Sequence, residues 1–435
     1  MNMHRLAVLF LINLCLILVH SPCLSGQEAA KDYQQLSMEL DVRETGSLMF
    51  AKYSDDNLAK LEAFLKKYPS AVEREKVLYL KAHTIWSLHR YDKAPPAYAA
   101  LIKEFPDGRF SRIARLREAA AYLFSGQPTK ALPRLKSLQN DYPDRPEMYA
   151  RELAYSLSRC GMQKEALGFM DLVEASLLAS KKERLLPQIR SHFNMIRLIG
   201  KPIQDFAVKD HRTRREISPK TLRGKVVLVD FWATWCGPCI ADLPFLVSAH
   251  EQSAANGFEI FSISLDEDET RYDKMVMDRK MNWLHFYDGN KWDNQLAKQF
   301  DIHSVPANLL VDRSGIIRNV NLRGNAIAAE VKTLLKEKQT IQVTLRNAEK
   351  YKFPTGMSGD EQGASITVPP EHAQVSTMVR NLDTQFEPVY TYQPKKDFVG
   401  KDSVEITLID VRIGNAPGQE KTTRTKVLIK FNVIE

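Results

Sequence analysis

The chain has 435 residues, room for about three domains at roughly 150 residues each. Its 44% hydrophobic and 26% charged residues are ordinary globular usage, which excludes disordered, collagen-like and coiled-coil arrays. Lys+Arg 61 against Asp+Glu 53 gives +8: residues 27–200 hold 28 basic and 22 acidic, 201–340 hold 20 and 19, and 341–435 hold 12 and 12, with no Lys/Arg-dense run, so nucleic-acid binding is excluded as a default.

Residues 1–26 carry the pattern of an export signal peptide. Arg5 supplies a positive start, Leu6–Val19 is apolar apart from Asn13, and His20–Gly26 holds Pro22 and small residues before a cleavage expected near Ser25 or Gly26. The apolar run is too short for a stable span of a bilayer about 30 Å thick. A lipoprotein would need an aliphatic residue three places before Cys23, where His20 stands. The pattern predicts export to the periplasm or cell envelope, soluble or held by an uncleaved signal anchor. Of five cysteines, Cys15 and Cys23 lie in the signal, leaving Cys160, Cys236 and Cys239. Three are too few for a disulfide framework in a chain this long.

Residues 27–197 read as helices with an internal repeat. Tyr68-Pro69, Phe105-Pro106 and Tyr142-Pro143 place their prolines at a constant interval, and Ala94, Ala131 and Ala166 open a helix in each unit. Each unit is expected to be two helices, the proline closing the second because it cannot continue the ladder. The region resembles tetratricopeptide-type repeats in period and in Ala/aromatic placement, which implies protein binding. Arg109, Arg112 and Arg115 are expected to form a solvated helix face, and Cys160 to be a buried structural thiol.

Residues 198–340 switch to alternating strands and helices, an α/β signature. Lys225–Phe231 is a near-continuous apolar strand, as one covered on both faces should be. A helix is expected from Pro238 to about Asn256, a strand at Phe258–Leu265, helices at Thr270–Asn282 and Trp292–Phe300, a hairpin of Asn308–Val311 with Ile316–Val320, and a closing helix at Ala326–Glu337. Residues 341–435 alternate with period two at Gln342–Arg346, Ser403–Leu408 and Lys426–Ile434, predicting a small all-β sandwich. The run Tyr390-Thr391-Tyr392-Gln393-Pro394 followed by Phe398-Val399-Gly400-Lys401-Asp402-Ser403 resembles the closing half of cadherin-like or immunoglobulin-like modules. Asp402 and Asp410 are either calcium ligands or, more commonly for such aspartates, turn caps.

The strongest chemical signal is Trp235-Cys236-Gly237-Pro238-Cys239. Two cysteines at i and i+3 at the start of a helix share one face, within reach of a disulfide. The helix N-terminus favours a thiolate at Cys236, the attacking sulfur, with Cys239 as the resolving thiol. Gly237 keeps the loop open to a partner, and Pro238 suits a first turn that needs no N–H. A zinc site would need a second ligand pair, and haem attachment needs a histidine where Ile240 stands. A purely structural bridge over two residues would restrain the unfolded chain little.

Together with Lys201–Phe206, Leu222-Arg223-Gly224-Lys225, Pro244 and Val305-Pro306, this pentapeptide makes residues 201–340 resemble the TlpA/ResA-type thioredoxin-fold thiol–disulfide oxidoreductases. The resemblance implies a cis peptide at Val305-Pro306 opposite the cysteines, a buried Asp230 beneath the second cysteine, and a helix-kinking Pro244. A buried Asp230 would have a raised pKa and take the proton from Cys239. Asp242 stands where ResA-like proteins have Glu; the alternative is a solvent-facing helix carboxylate. Ser304 and Ala307 depart from the family's commoner Gly and Thr, and His303 reads as a loop histidine. The loop pattern of a peroxiredoxin, Pro-x-x-x-Thr-x-x-Cys, is absent around Cys236.

The sequence therefore predicts an exported oxidoreductase exchanging its disulfide with client cysteines. Reduction is favoured, a membrane electron donor is implied, no cofactor or metal is expected beyond the redox-active disulfide, and nucleic acid is not a partner. The competing reading is an envelope adaptor that binds partners through the flanking regions and whose dithiol is incidental.

Overall fold

The structure, a computed structural model, describes residues 26–435 except 46, 47, 51, 52, 338, 356–362, 382–386 and 414–419. Apart from Gly26, the expected signal peptide lies outside the described residues. No described helix is long and apolar enough to cross a membrane. The chain divides into two compact units, Met1–Glu183 and Arg184–Glu435.

The first unit is helical apart from a short antiparallel pair. Helix α1 spans 26–39; β1 (Arg43–Thr45) and β2 (Leu48–Phe50) pair next; α2 (Asp55–Lys67), α3 (Arg74–Ser87), α4 (Ala94–Glu104), α5 (Ser111–Phe124), α6 (Pro128–Asp141), α7 (Ala150–Arg159) and α8 (Gln163–Ala179) follow, each packed on the next. The repeat has a local cause. Tyr68, Phe105 and Tyr142 end α2, α4 and α6 with nearly the same backbone, φ −124, −130 and −134 and ψ 71, 68 and 57. The proline after each excludes helical geometry at the residue before it. Ala94, Ala131 and Ala166 are fully buried, small enough to let neighbouring helices approach.

Two expectations here are corrected. The arginines at and just before the start of α5 are engaged rather than merely solvated: Arg109 pairs with Glu44 at 3.0 Å, Arg115 with Asp141, and the Arg112 guanidinium lies 5.9 Å from the Tyr142 ring centroid. Cys160 is half-buried, because it caps the exposed end of α7 instead of facing the core.

The second unit opens with α9 (Leu186–Ile196), β3 (Val208–Lys209), β4 (Glu216–Ile217) and α10 (Pro219–Leu222). Then come β5 (Val226–Trp232), α11 (Gly237–Ser253), β6 (Phe258–Ser264), α12 (Glu269–Asp278), β7 (Leu284–Phe286), α13 (Gln295–Gln299), β8 (Ala307–Val311), β9 (Ile317–Val320) and α14 (Asn325–Lys336). Five strands form one sheet in the order β7-β6-β5-β8-β9. Strands β5, β6 and β7 run parallel, and β8 and β9 antiparallel. Every residue of β5, β6 and β8 is buried, which explains why β5 is apolar but for Asp230 and why the few polar residues of β6 and β8 lie in the interior. This is a thioredoxin fold with β5 at its centre. Arg313 donates to the carbonyls of Leu335 and Glu337 (3.3 and 3.2 Å), closing the C-terminal end of α14.

The remaining strands are β10 (Gln339–Arg346), β11 (Tyr351–Pro354), β12 (Gly363–Val368), β13 (Ala373–Asn381), β14 (Glu387–Pro394), β15 (Gly400–Ile413) and β16 (Glu420–Ile434). They form sheets β10-β16-β15-β12 and β11-β14-β13, which share one core built on Tyr390, Tyr392, Val404, Ile406, Ile429 and Phe431. The first and last strands, β10 and β16, pair in parallel. Asp402 is a structural anchor: it accepts from the N–H groups of Glu371, His372 and Ser403 and from the Tyr392 hydroxyl at 2.8–3.0 Å. The Asp410 side chain lies outside what is described.

Candidate active site

Strand β5 delivers the chain to the site. Its last residue, Trp232, is followed by a turn held from β6. The N–H of Thr234 donates to both carboxylate oxygens of Asp266 (3.1 and 3.0 Å), and its hydroxyl donates to Asp266 at 2.7 Å. Trp235 then projects outward, 43% exposed, its Nε1–H donating to the Leu265 carbonyl at 3.3 Å. Its ring centroid lies 5.9 Å from that of Trp292, also exposed. Trp235 is the residue directly before Cys236.

Cys236 is the N-cap of α11, and the Cys239 N–H points at its Sγ, 3.2 Å away. The two sulfurs are bonded, S–S 2.11 Å with Cα atoms 5.3 Å apart. Gly237 and Pro238 are exposed, and a Cβ at Gly237 would meet nothing within 4 Å, whereas Cys236 and Cys239 themselves are only 5% and 2% exposed. Pro238 occupies the first helical turn, and Pro244 lies inside the helix. The Val305-Pro306 peptide is cis, as the resemblance implied.

Asp230 is 3% exposed in β5, in register with Ser262 on β6 and Asn308 on β8. Its Oδ2 has no hydrogen-bond partner among the described residues. Burial pushes its carboxyl up from the ordinary aspartate value to about 7; the Arg323 cation opposes this, the Asp242 charge adds to it, and a bond from Ser262 opposes it.

Asp242 is not a solvent-facing carboxylate. It is 6% exposed, because its Oδ1 accepts the Gly324 N–H at 3.2 Å and its Oδ2 lies 3.5 Å from Arg323 Nε. Arg323 in turn donates to the Pro306 carbonyl. The residues singled out from the sequence are thus joined by one that the sequence did not mark. Asp266 was missed as well; its place just past a parallel strand beside the CxxC turn was the available signal. Among the described residues, His211, Glu269 and Asp273 offer ligand atoms within 4.8 Å of one another. His211 Nε2 lies 3.1 Å from an Asp273 carboxylate oxygen and 3.7 Å from one of Glu269, and its ring packs edge-on against Tyr272 and Tyr287.

Residues 199–320 match the AhpC/TSA family. The chain is 26% identical over 139 residues to the thiol-disulfide oxidoreductase ResA of Bacillus thuringiensis, covering 32% of this chain and 78% of that protein. It is 35% identical over 127 residues to probable nucleoredoxin 1 of Arabidopsis thaliana, covering 28% of this chain but only 21% of the relative's length. Among solved structures, the thioredoxin domain of a thiol-disulfide oxidoreductase from Bacteroides vulgatus aligns at 25% identity and a TM-score of 0.30, over 32% of this chain and 98% of that one.

Proposed function

We propose that the thioredoxin-fold domain of this chain is a thiol–disulfide oxidoreductase that works outside the cytoplasm and exchanges the Cys236–Cys239 disulfide with client cysteines, reduction of the client being favoured. The observation that carries this reading is the bonded cysteine pair at the N-terminus of α11, bridged by the exposed Gly237-Pro238 turn.

In the reducing direction the Cys236 thiolate attacks a client disulfide. The client S–S bond breaks, one client sulfur leaves with the electron pair and takes up a proton, and a mixed disulfide remains on Cys236. Cys239 gives its proton to Asp230 and attacks Cys236 Sγ. The second client sulfur leaves as thiolate and is protonated. The client has gained two electrons, and Cys236–Cys239 is oxidised. A dithiol donor at the membrane restores it, and no other cofactor is needed. The preceding helix pairs, of tetratricopeptide type, hold protein clients, and the C-terminal sheets form an immunoglobulin/cadherin-like module. Purified protein should reduce a model peptide disulfide at the expense of a dithiol, and Cys236→Ser should abolish turnover; undiminished turnover in that variant would overturn the reading.

A further inference from the structure

The turn from β9 to α14 reads Asn321-Leu322-Arg323-Gly324. Gly324 has φ 54 and ψ −139, a backbone that a Cβ makes costly, and its N–H is held by Asp242 Oδ1. This bend returns Arg323 toward the sheet, where its side chain is 15% exposed. Its Nη1 donates to the Leu322 carbonyl at 2.9 Å, its Nη2 to the Pro306 carbonyl, and its Nε faces Asp242 Oδ2. One planar fork of donors therefore ties the cis-proline loop to α11, one helical turn beyond Cys239. A lysine, with a single point charge on a flexible stem, cannot hold both groups at fixed angles.

We propose that Arg323 is a positioning residue for the exchange: it fixes the Pro306 carbonyl against the helix of Cys239, and its charge, balanced by Asp242, keeps Asp230 able to take the Cys239 proton. This rests on the oxidoreductase reading above. Asp230 is faced by Asp242 from α11, Arg323 from the β9–α14 turn, Ser262 from β6 and the neutral Asn308 from β8. Resolution moves the Cys239 proton to Asp230 as the Cys239–Cys236 bond forms and the Cys236–client bond breaks. The acceptor must be ionised beforehand. Arg323 favours that ionised form, and Asp242 disfavours it.

The test uses the full chain. Reduced protein is loaded with a 5-thio-2-nitrobenzoate disulfide, and release of the coloured thiolate is followed against pH. Wild type should show a midpoint that Asp230→Asn removes. Arg323→Met should move that midpoint up by about one pH unit and slow release at pH 7 roughly tenfold. Asp242→Asn should move it down. Arg323→Lys should keep the midpoint yet load a peptide disulfide more slowly than wild type, and it serves if Arg323→Met does not fold. Unmoved midpoints in Arg323→Met and Asp242→Asn, or uniform slowing at every pH, would overturn the role of Arg323 while leaving the oxidoreductase reading intact. Intramolecular release of a second thiolate equivalent that survives in Cys236→Ser would instead overturn the oxidoreductase reading, and this inference with it.

Discussion

The Cys239 N–H points at the Sγ of Cys236, 3.2 Å away, so the first turn of α11 aims a free backbone donor at one sulfur of the pair. That donor and the helix dipole favour negative charge on Cys236 over Cys239. The asymmetry favours Cys236 as the entering sulfur in the proposed exchange. If reduction of clients is the favoured direction, the couple should equilibrate with thiol buffers at a potential on the order of −270 mV. A value near ~−120 mV, typical of a strong oxidant, would reverse the favoured direction of exchange.

Asp230 gives a prediction on stability as well as rate. Its folded-state pKa, about 7, lies above the ordinary value of 3.8. The native state therefore holds this proton more tightly than the unfolded chain does. Stability from this group is full below the unfolded value and is lost as pH rises through about 7. Asp230→Asn should thus be the more stable protein at pH 8, by an order of a few kcal/mol, with the difference shrinking toward pH 4. Denaturant unfolding at the two pH values measures this. In the same variant resolution at neutral pH should slow. Equal pH profiles in the two proteins would reduce Asp230 to a buried polar residue.

Asp402 should be required for the C-terminal sheets and indifferent to calcium. Its carboxylate satisfies three backbone N–H groups and the buried Tyr392 hydroxyl. Asp402→Ala leaves those donors unpaired, at about 1–3 kcal/mol for each buried one. Calorimetry should show a lowered transition for this variant, and adding calcium should leave the wild-type transition where it was. A calcium-dependent rise would make Asp402 a ligand.

The helical unit should select clients. Trapping with Cys239→Ser in the full chain and in residues 184–435 should give a narrower set of adducts from the shorter chain. Salt should have only a modest effect on the difference. Three basic residues of the surplus in 27–200, Arg184, Arg190 and Arg197, fall in the second unit, and Arg109, Arg115, Arg134 and Arg151 are already paired with carboxylates. Identical adducts from both chains would show that the helices do not choose the client.

The parts legible in the sequence were those with a local cause. The aromatic–proline ends of α2, α4 and α6 follow from steric exclusion before proline, and the stretch from the start of β5 to Cys239 carries a strand, a cap and a first turn in fourteen residues. Long-range pairing was not legible. Asp242 looks exposed on the helix alone and is buried only because Gly324 and Arg323, some eighty residues later, return to it. Arg109 and Arg115 read as a solvated face because their partners Glu44 and Asp141 belong to other elements. Asp402 left two readings open until the N–H groups of Glu371 and His372 were seen to converge on it.

The most direct test is to find which sulfur a client reaches first. Full-length Cys239→Ser, reduced and then exposed to a peptide disulfide, is digested without reduction and the adduct located by mass spectrometry. The account predicts a stable mixed disulfide on Cys236, formed at close to the wild-type rate of entry and released only by added thiol. An adduct located on Cys160, or none at all, would contradict it.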